Sequence, residues 1–127
     1  MNLRLADVEG FTAWSTKAGV IHVQPPVAVL EQMLTLRIAL DDSDEQNGAL
    51  RVIPGSHKQG RLNDSQIKRL KESTPAVVCE MKRGDVLAMK PLLLHSSSSS
   101  QNPSHRRVLH LEFSSSVLPA GLEWYGS

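Results

Sequence analysis

The sequence of 127 residues contains a single cysteine, Cys79, which excludes a disulfide framework and is typical of a reducing compartment such as the cytoplasm. Aromatic residues make up only 4% of the chain, too few for the stacking platforms that bind nucleobases. A formal net charge of +1 gives no electrostatic reason to expect nucleic acid or a membrane surface as a partner. No apolar run approaches the ~20 residues that a membrane-spanning helix needs. These absences predict a soluble, cytoplasmic protein.

Short apolar runs separated by turn residues are the main secondary-structure signal. Residues 33–41 alternate, with Leu34, Leu36, Ile38 and Leu40 on one face and Arg37 on the other, which predicts a strand. Further strands are predicted over residues 49–53, 76–81, 86–90, 92–94 and 106–113. The short turn at residues 82–85 (Lys-Arg-Gly-Asp) predicts that the strands on either side of it form a hairpin.

Helical signals are sparse. Asn63 with Gln66 forms the pattern of a capping box and predicts a short helix over residues 64–72. Residues 26–32 are compatible with a single further turn, and the serine run at residues 96–100 predicts a mobile loop. The chain is therefore expected to form one mainly β domain over residues 1–127, a sandwich or jelly roll with one short helix.

Two histidines stand at the ends of predicted strands. His95 ends an apolar run and begins a polar loop, so it is placed where ligands of a mononuclear Fe(II) site can meet at the mouth of a β-barrel. A lone histidine at a strand end is more often structural, so this residue alone leaves both interpretations open. His57 follows Pro54-Gly55-Ser56 and is interpreted as part of the turn, with Gly55 supplying special backbone angles and Ser56 bonding locally.

A basic pair, Arg106-Arg107, opens the last predicted strand. An arginine fork suits bidentate capture of a carboxylate. Alternation puts Arg107 with the apolar residues of this strand, whereas Arg106 shares a polar face with His110 and Glu112 and is the better anion ligand. A solvated basic turn is an equally good interpretation of the pair by itself.

Taken together, these features resemble the phytanoyl-CoA dioxygenase family. They are residues 47–57 (Asn-Gly-Ala-Leu-Arg-Val-Ile-Pro-Gly-Ser-His), the Gly84-Asp85 strand, His95 and Arg106, and the resemblance covers residues 20–113. It implies a cupin-like double-stranded β-helix and an Fe(II)- and 2-oxoglutarate-dependent hydroxylase acting on a small molecule. By this resemblance His95 is the distal iron ligand, Arg106 pairs with the far carboxylate of 2-oxoglutarate, and Ser97 is a further cosubstrate contact. Arg37 stands where the family often has an aromatic residue beside the cosubstrate.

The His-x-Asp pair that supplies two of the three iron ligands in this family has no counterpart in the chain. The resemblance therefore implies a β-helix incomplete at its N-terminal side, either the C-terminal part of a longer enzyme or a natural short form. An iron site with one imidazole is expected to bind metal weakly. Three functions follow: a dioxygenase fold that is inactive alone, a non-catalytic binding or assembly module, or metal completion across a homo-oligomer formed through open sheet edges.

Overall fold

The computed structural model describes residues 8–101 and 105–125 of the chain. Eight strands, two α-helices and one 3-10 helix follow one another in these residues. In chain order they are β1 (Thr12–Lys17), β2 (Val20–Gln24), α1 (Val27–Glu31), β3 (Met33–Ala39), β4 (Leu50–Val52), the 3-10 helix (Ser56–Gln59), α2 (Asp64–Ser73), β5 (Val77–Cys79), β6 (Val86–Met89), β7 (His95–Ser97) and β8 (Val108–Ser114). The prediction of a mainly β chain is confirmed. No helix among the described residues is long and apolar enough to cross a membrane.

Two antiparallel three-stranded sheets form the body of the molecule. One has the order β6-β3-β8 and the other the order β5-β4-β7. Their apolar core contains Leu50 and Val52 from β4 and Met89 from β6, and Leu87 packs against it. Each sheet is thus made of strands that are distant in sequence, as in a jelly roll.

The alternation predicted for β3 is present, but the face that is buried is the one that carries Arg37 and not the one that carries Leu34. Thr35 and Ala39 are each only 1% exposed, whereas Leu34 is 39% exposed on the opposite face. Because Leu34 pairs with Phe113 of β8, which is 51% exposed, this apolar outer face continues across the sheet. The inner face of the same sheet carries Arg37, which brings a cation toward the interior of the sandwich.

Several strand predictions were wrong. Residues 92–94 are not a strand, because β7 begins at His95 and does not end there, and β8 begins at Val108, two residues later than predicted. The residues flanking the turn at 82–85 do not pair as a hairpin, because β5 joins β4 in one sheet and β6 joins β3 in the other. The serine run is not all loop, because Ser96 and Ser97 belong to β7 and pair with Arg51 and Leu50. Strand pairing there depends on backbone groups, which hydrophobic patterning does not report.

The helices agree well with the prediction. The Asn63 side chain accepts a hydrogen bond from the Gln66 backbone N–H at 2.9 Å, and the Gln66 side chain accepts one from the Asn63 backbone N–H at 2.9 Å, so the capping box is confirmed. Helix α2 ends one residue later than predicted, at Ser73. The hairpin of β1 and β2 was not predicted. It turns at Ala18 and Gly19, which both have positive φ, the backbone that tight hairpin turns require.

Candidate functional site

His95 is the first residue of β7 and has an ordered imidazole. Its Nδ1 lies 2.8 Å from the carbonyl oxygen of Leu93. Because a carbonyl oxygen can only accept, Nδ1 donates, and Nε2 is left with its lone pair. Metal-binding histidines are typically oriented by such a bond from the second ring nitrogen. His95 is exposed and pairs with Val52, which places it on the face of the sheet that carries the core. The ring is therefore suited to bind a metal through Nε2.

The turn at residues 54–57 supports the entry to β7. Ser56 is 1% exposed, and its Oγ accepts a hydrogen bond of 2.8 Å from the backbone N–H of Leu94. The backbone N–H of Ile53 donates to the Leu94 carbonyl oxygen at 3.0 Å. The expectation that Ser56 bonds only locally was wrong, whereas the special backbone angle of Gly55 is confirmed at φ 78°. The Pro-Gly-Ser-His turn thus holds the residue before His95.

Ser56→Ala is expected to destabilise the protein by about 1–3 kcal/mol, because the partly buried Leu94 N–H would lose its acceptor. Urea unfolding of the variant and the wild type measures this change. Ser73→Ala is the matched control, because Ser73 is exposed at the end of α2 and should change stability by no more than about 0.5 kcal/mol. Equal losses in the two variants would contradict the role given to Ser56.

Arg106 reaches the loop that enters β4. Its Nη1 donates a hydrogen bond to the carbonyl oxygen of Gly48. Gly48 has φ +86°, and a Cβ built on it would lie 2.4 Å from the carbonyl oxygen of Ser98 and 3.5 Å from Nη1 of Arg106. The guanidinium therefore lies beside the end of β7, three residues or about 10 Å along the chain from His95. Ser97, which pairs with Leu50, lies between them and is exposed.

Arg37 is the second cation near this position. It lies in the middle of β3 opposite His110 and is half-buried. Partial burial, and secondarily the charge of Arg106, lower the pKa of Arg37 from its ordinary value. None of the ion pairs formed among residues 8–101 and 105–125 involves Arg37 or Arg106. The charge of Arg106 thus acts on Arg37, and neither guanidinium forms an ion pair within the described residues.

Arg107 makes a different set of contacts. Its Nε and Nη2 each lie 2.9 Å from a carboxylate oxygen of Asp41, and its backbone N–H donates to the same carboxylate at 2.8 Å. These bonds hold the pKa of Asp41 well below its usual range and raise the pKa of Arg107. The guanidinium of Arg107 is committed to Asp41, so the anion site proposed below is built from Arg106 and Arg37.

The described residues do not by themselves fit a mononuclear iron centre. Such a centre needs two imidazoles and one carboxylate on one face of the metal. Nowhere in the described part of the chain do three His, Cys, Asp or Glu side chains come together in a way that could hold a metal ion. His95 therefore belongs to no such group among these residues, and His110 and Glu112 on β8 contact each other at 3.0 Å.

A comparison with protein families bears on this arrangement. The profile described as Phytanoyl-CoA dioxygenase (PhyH) matches residues 7–108, most of the chain. The chain belongs to the phytanoyl-CoA dioxygenase family. Phytanoyl-CoA dioxygenase 1 of Oryza sativa subsp. japonica is 33% identical over 102 residues, which cover 70% of this chain and 34% of that protein. Dioxygenase himG of Aspergillus japonicus is 31% identical over 83 residues, which cover 65% of this chain and 24% of that protein. This member of the family thus spans about a quarter to a third of these relatives.

Solved structures of similar proteins agree with the family. AviO1 from Streptomyces viridochromogenes Tue57 aligns with a TM-score of 0.60 and 30% identity, over 70% of this chain and 39% of AviO1. EctD from S. alaskensis with 2-oxoglutarate and 5-hydroxyectoine aligns with a TM-score of 0.59 and 26% identity, over 66% of this chain and 31% of EctD. Another EctD structure has bound Fe. The predicted cupin-like β-helix of this family is confirmed.

Proposed function

We propose that this chain provides part of an Fe(II)- and 2-oxoglutarate-dependent dioxygenase site of the phytanoyl-CoA dioxygenase type and that it does not turn over by itself. The observation that carries the proposal is the position of Arg106 beside the end of the strand that begins at His95, with Arg37 close enough to be affected by the charge of Arg106. The 2-oxoglutarate and iron bound in EctD structures support the choice of ligands.

The proposed site has two parts, one that binds the 2-oxoglutarate anion and one that binds iron. The part that binds the anion is the more complete of the two. Arg106 presents a planar fork that can pair with the far carboxylate of 2-oxoglutarate through charge-assisted hydrogen bonds. Arg37 adds a second positive charge, and bringing a dianion between the two guanidinium groups relieves their mutual repulsion. The exposed hydroxyl of Ser97 is an additional donor on the face that carries His95. These groups bind and orient the cosubstrate.

The part of the proposed site that binds iron is incomplete in the described residues. The free Nε2 of His95 is one ligand, and bound iron would supply the oxygen chemistry. The other two ligands would come from outside the described residues, for example from a further segment of a longer polypeptide or from a neighbouring copy of the chain. A site that lacks two direct ligands should bind metal worse than one that lacks an outer partner, a loss that already costs ~10–100-fold in affinity.

Anaerobic titration of the purified chain with Fe(II) and 2-oxoglutarate tests this proposal. We expect calorimetry to show 2-oxoglutarate binding, with neither metal-to-ligand charge-transfer absorbance nor succinate formation. A clear charge-transfer band or turnover by the chain alone would contradict the proposal that the iron-binding part of the site is incomplete. Weak metal binding, where it is measurable, should disappear in His95→Ala and persist in His57→Ala, because His57 lies in the 3-10 helix after Gly55 and not on β7.

The second candidate is a non-catalytic binding or assembly module in the cytoplasm. The apolar outer face of the β6-β3-β8 sheet favours it, because Val86, Leu109 and Phe113 are each about half exposed there and could pack against another protein or another copy. This candidate predicts no heat of 2-oxoglutarate binding in the same calorimetric experiment, so one measurement separates the two functions.

A further inference from the structure

The structure contains a cavity that neither Arg106 nor Arg37 lines. It has a volume of about 590 Å³ and is enclosed by the β1–β2 hairpin, the C-terminal residues 118–125, and the ends of β3 and β8 at Met33 and Glu112. This volume falls within the range of ~300–1,000 Å³ that is usual for small-molecule sites. We propose that this hairpin–tail cavity binds a mainly apolar, uncharged small molecule with a hydrogen-bond acceptor that faces the indole N–H of Trp14.

The position of Trp14 carries the proposal. The pairing of β1 with β2 shifts by one residue between Thr12 and Ser15, and Ala13 has φ 54°, so a bulge lies at this point. Bulges re-aim side chains, and a non-glycine residue at positive φ persists only where its surroundings hold it there. The indole of Trp14 lines the cavity, and its buried Nε1 has no acceptor among the described residues. A buried donor without an acceptor is unfavourable, and a ligand oxygen would satisfy it.

The lining of the cavity defines the kind of ligand. Phe11, Leu122 and Trp124 are among the mainly apolar residues that surround it. The ionisable side chains in the lining are two carboxylates, Glu112 and Glu123, one imidazole, His22, and the phenol of Tyr125. A negatively charged ligand is disfavoured by this excess of carboxylates. The cavity is therefore unsuited to 2-oxoglutarate, and the inference goes beyond the proposed function.

Arg106 is separated from the cavity, because Glu112 stands six residues after it, roughly 20 Å along an extended chain. Arg37 is nearer, since it lies two residues along β3 from Thr35, which pairs with Glu112. The tail that closes the cavity is held mainly by bonds within itself, from Trp124 Nε1 to the Ser116 carbonyl oxygen and from the Leu122 N–H to the Pro119 carbonyl oxygen, each 3.1 Å. Arg106 is not part of the cavity lining, so it can be substituted without changing the residues that line the cavity.

The indole N–H resonances of the whole chain report on this cavity directly, because Trp14 and Trp124 are the only two tryptophans and both line it. The probes are 1-tetralone, tetralin and tetralin-2-carboxylate, which share a ring system and differ in acceptor and charge. We expect 1-tetralone to move the Trp14 N–H signal downfield and to bind about fivefold tighter than tetralin, which lacks the acceptor. The carboxylate should bind more weakly than either.

Variants test the same inference. Trp14→Phe keeps an aromatic ring and should make the affinities for 1-tetralone and tetralin equal. Leu118→Ala should weaken both probes, whereas Val117→Ala, at a neighbouring residue that is 94% exposed and outside the lining, should not. Arg106→Ala should leave 1-tetralone binding unchanged, so a failure of the 2-oxoglutarate proposal would not affect this test.

Several outcomes would overturn the inference. One is that the Trp14 N–H signal does not move at saturating 1-tetralone. Another is that the wild type binds 1-tetralone and tetralin with equal affinity. Both measurements use the wild-type protein, so neither depends on whether a variant folds. A third is a change of both indole signals with protein concentration alone, accompanied by dimer in sedimentation. In that case a second copy of the chain, and not a small molecule, would fill the cavity.

Discussion

Arg106→Ala is expected to reduce the affinity of the chain for 2-oxoglutarate by about 10- to 100-fold, because a charge-assisted, bidentate contact to the far carboxylate is lost. Isothermal titration calorimetry at fixed ionic strength measures this change. Arg37 remains in the variant and keeps one positive charge at the site, so residual weak binding is expected. The effect should decrease at high salt, since screening weakens the attraction that remains.

Arg107→Ala is the matched control for Arg106→Ala. The two residues are adjacent, but the Arg107 guanidinium is held by Asp41 at 2.9 Å, so its removal should leave 2-oxoglutarate affinity nearly unchanged. Arg106→Lys keeps the charge without the planar fork and should show an intermediate loss. If Arg107→Ala weakened binding as much as Arg106→Ala, the assignment of the two arginines would have to be exchanged.

Gly48→Ala is expected to damage both stability and cosubstrate binding. The residue has φ +86°, which costs an alanine roughly 1–2 kcal/mol. Its new Cβ would also lie 2.4 Å from the carbonyl oxygen of Ser98, and relieving such overpacking costs about 1–3 kcal/mol more. The Ser98 backbone and the Arg106 side chain must move apart, so 2-oxoglutarate affinity should fall as well. Urea unfolding and calorimetry measure the two effects.

Gly84→Ala separates the backbone strain from the close contact. Gly84 has a similar φ of +95°, but a Cβ there meets no heavy atom within 4 Å. The control should therefore lose only the roughly 1–2 kcal/mol that positive φ costs and should bind 2-oxoglutarate normally. Equal destabilisation of the two variants would show that the contact of a Cβ at position 48 with Ser98 does not contribute to the free energy of unfolding.

Local features of the fold were predictable from the sequence because they depend on neighbouring residues. The period-two pattern around Arg37 correctly predicts β3, and Asn63 with Gln66 correctly predicts the start of α2. Pairing between strands was less predictable, because β5 and β6 lie close in sequence but join different sheets. The β1–β2 hairpin was missed, since Ala18 at positive φ gives no turn signal of the kind that asparagine or glycine gives.

Some features of the candidate site could likewise be predicted from local sequence patterns, and others could not. Alternation along the last strand separates Arg106 from Arg107, and the structure gives these two residues different partners. The approach of Arg37 to Arg106 joins residues far apart in sequence, and no local pattern reports it. The bond from the Leu94 N–H to Ser56 is equally long-range. The resemblance to a known family pointed to Ser97 and His95 as well, whose roles stay predictions.

The segment from Gly48 to Ser56 has contacts at both of its ends. At one end Gly48 accepts from Arg106, at the other Ser56 accepts from Leu94, and β4 between them pairs with His95 and Ser97. An inserted or deleted residue inside β4 would turn the β4 side chains that follow it to the opposite face of the sheet and would shift the pairing of β4 with His95 and Ser97. The number of residues in this segment therefore sets the distance between the imidazole of His95 and the guanidinium of Arg106. The segment should tolerate substitutions far better than insertions or deletions.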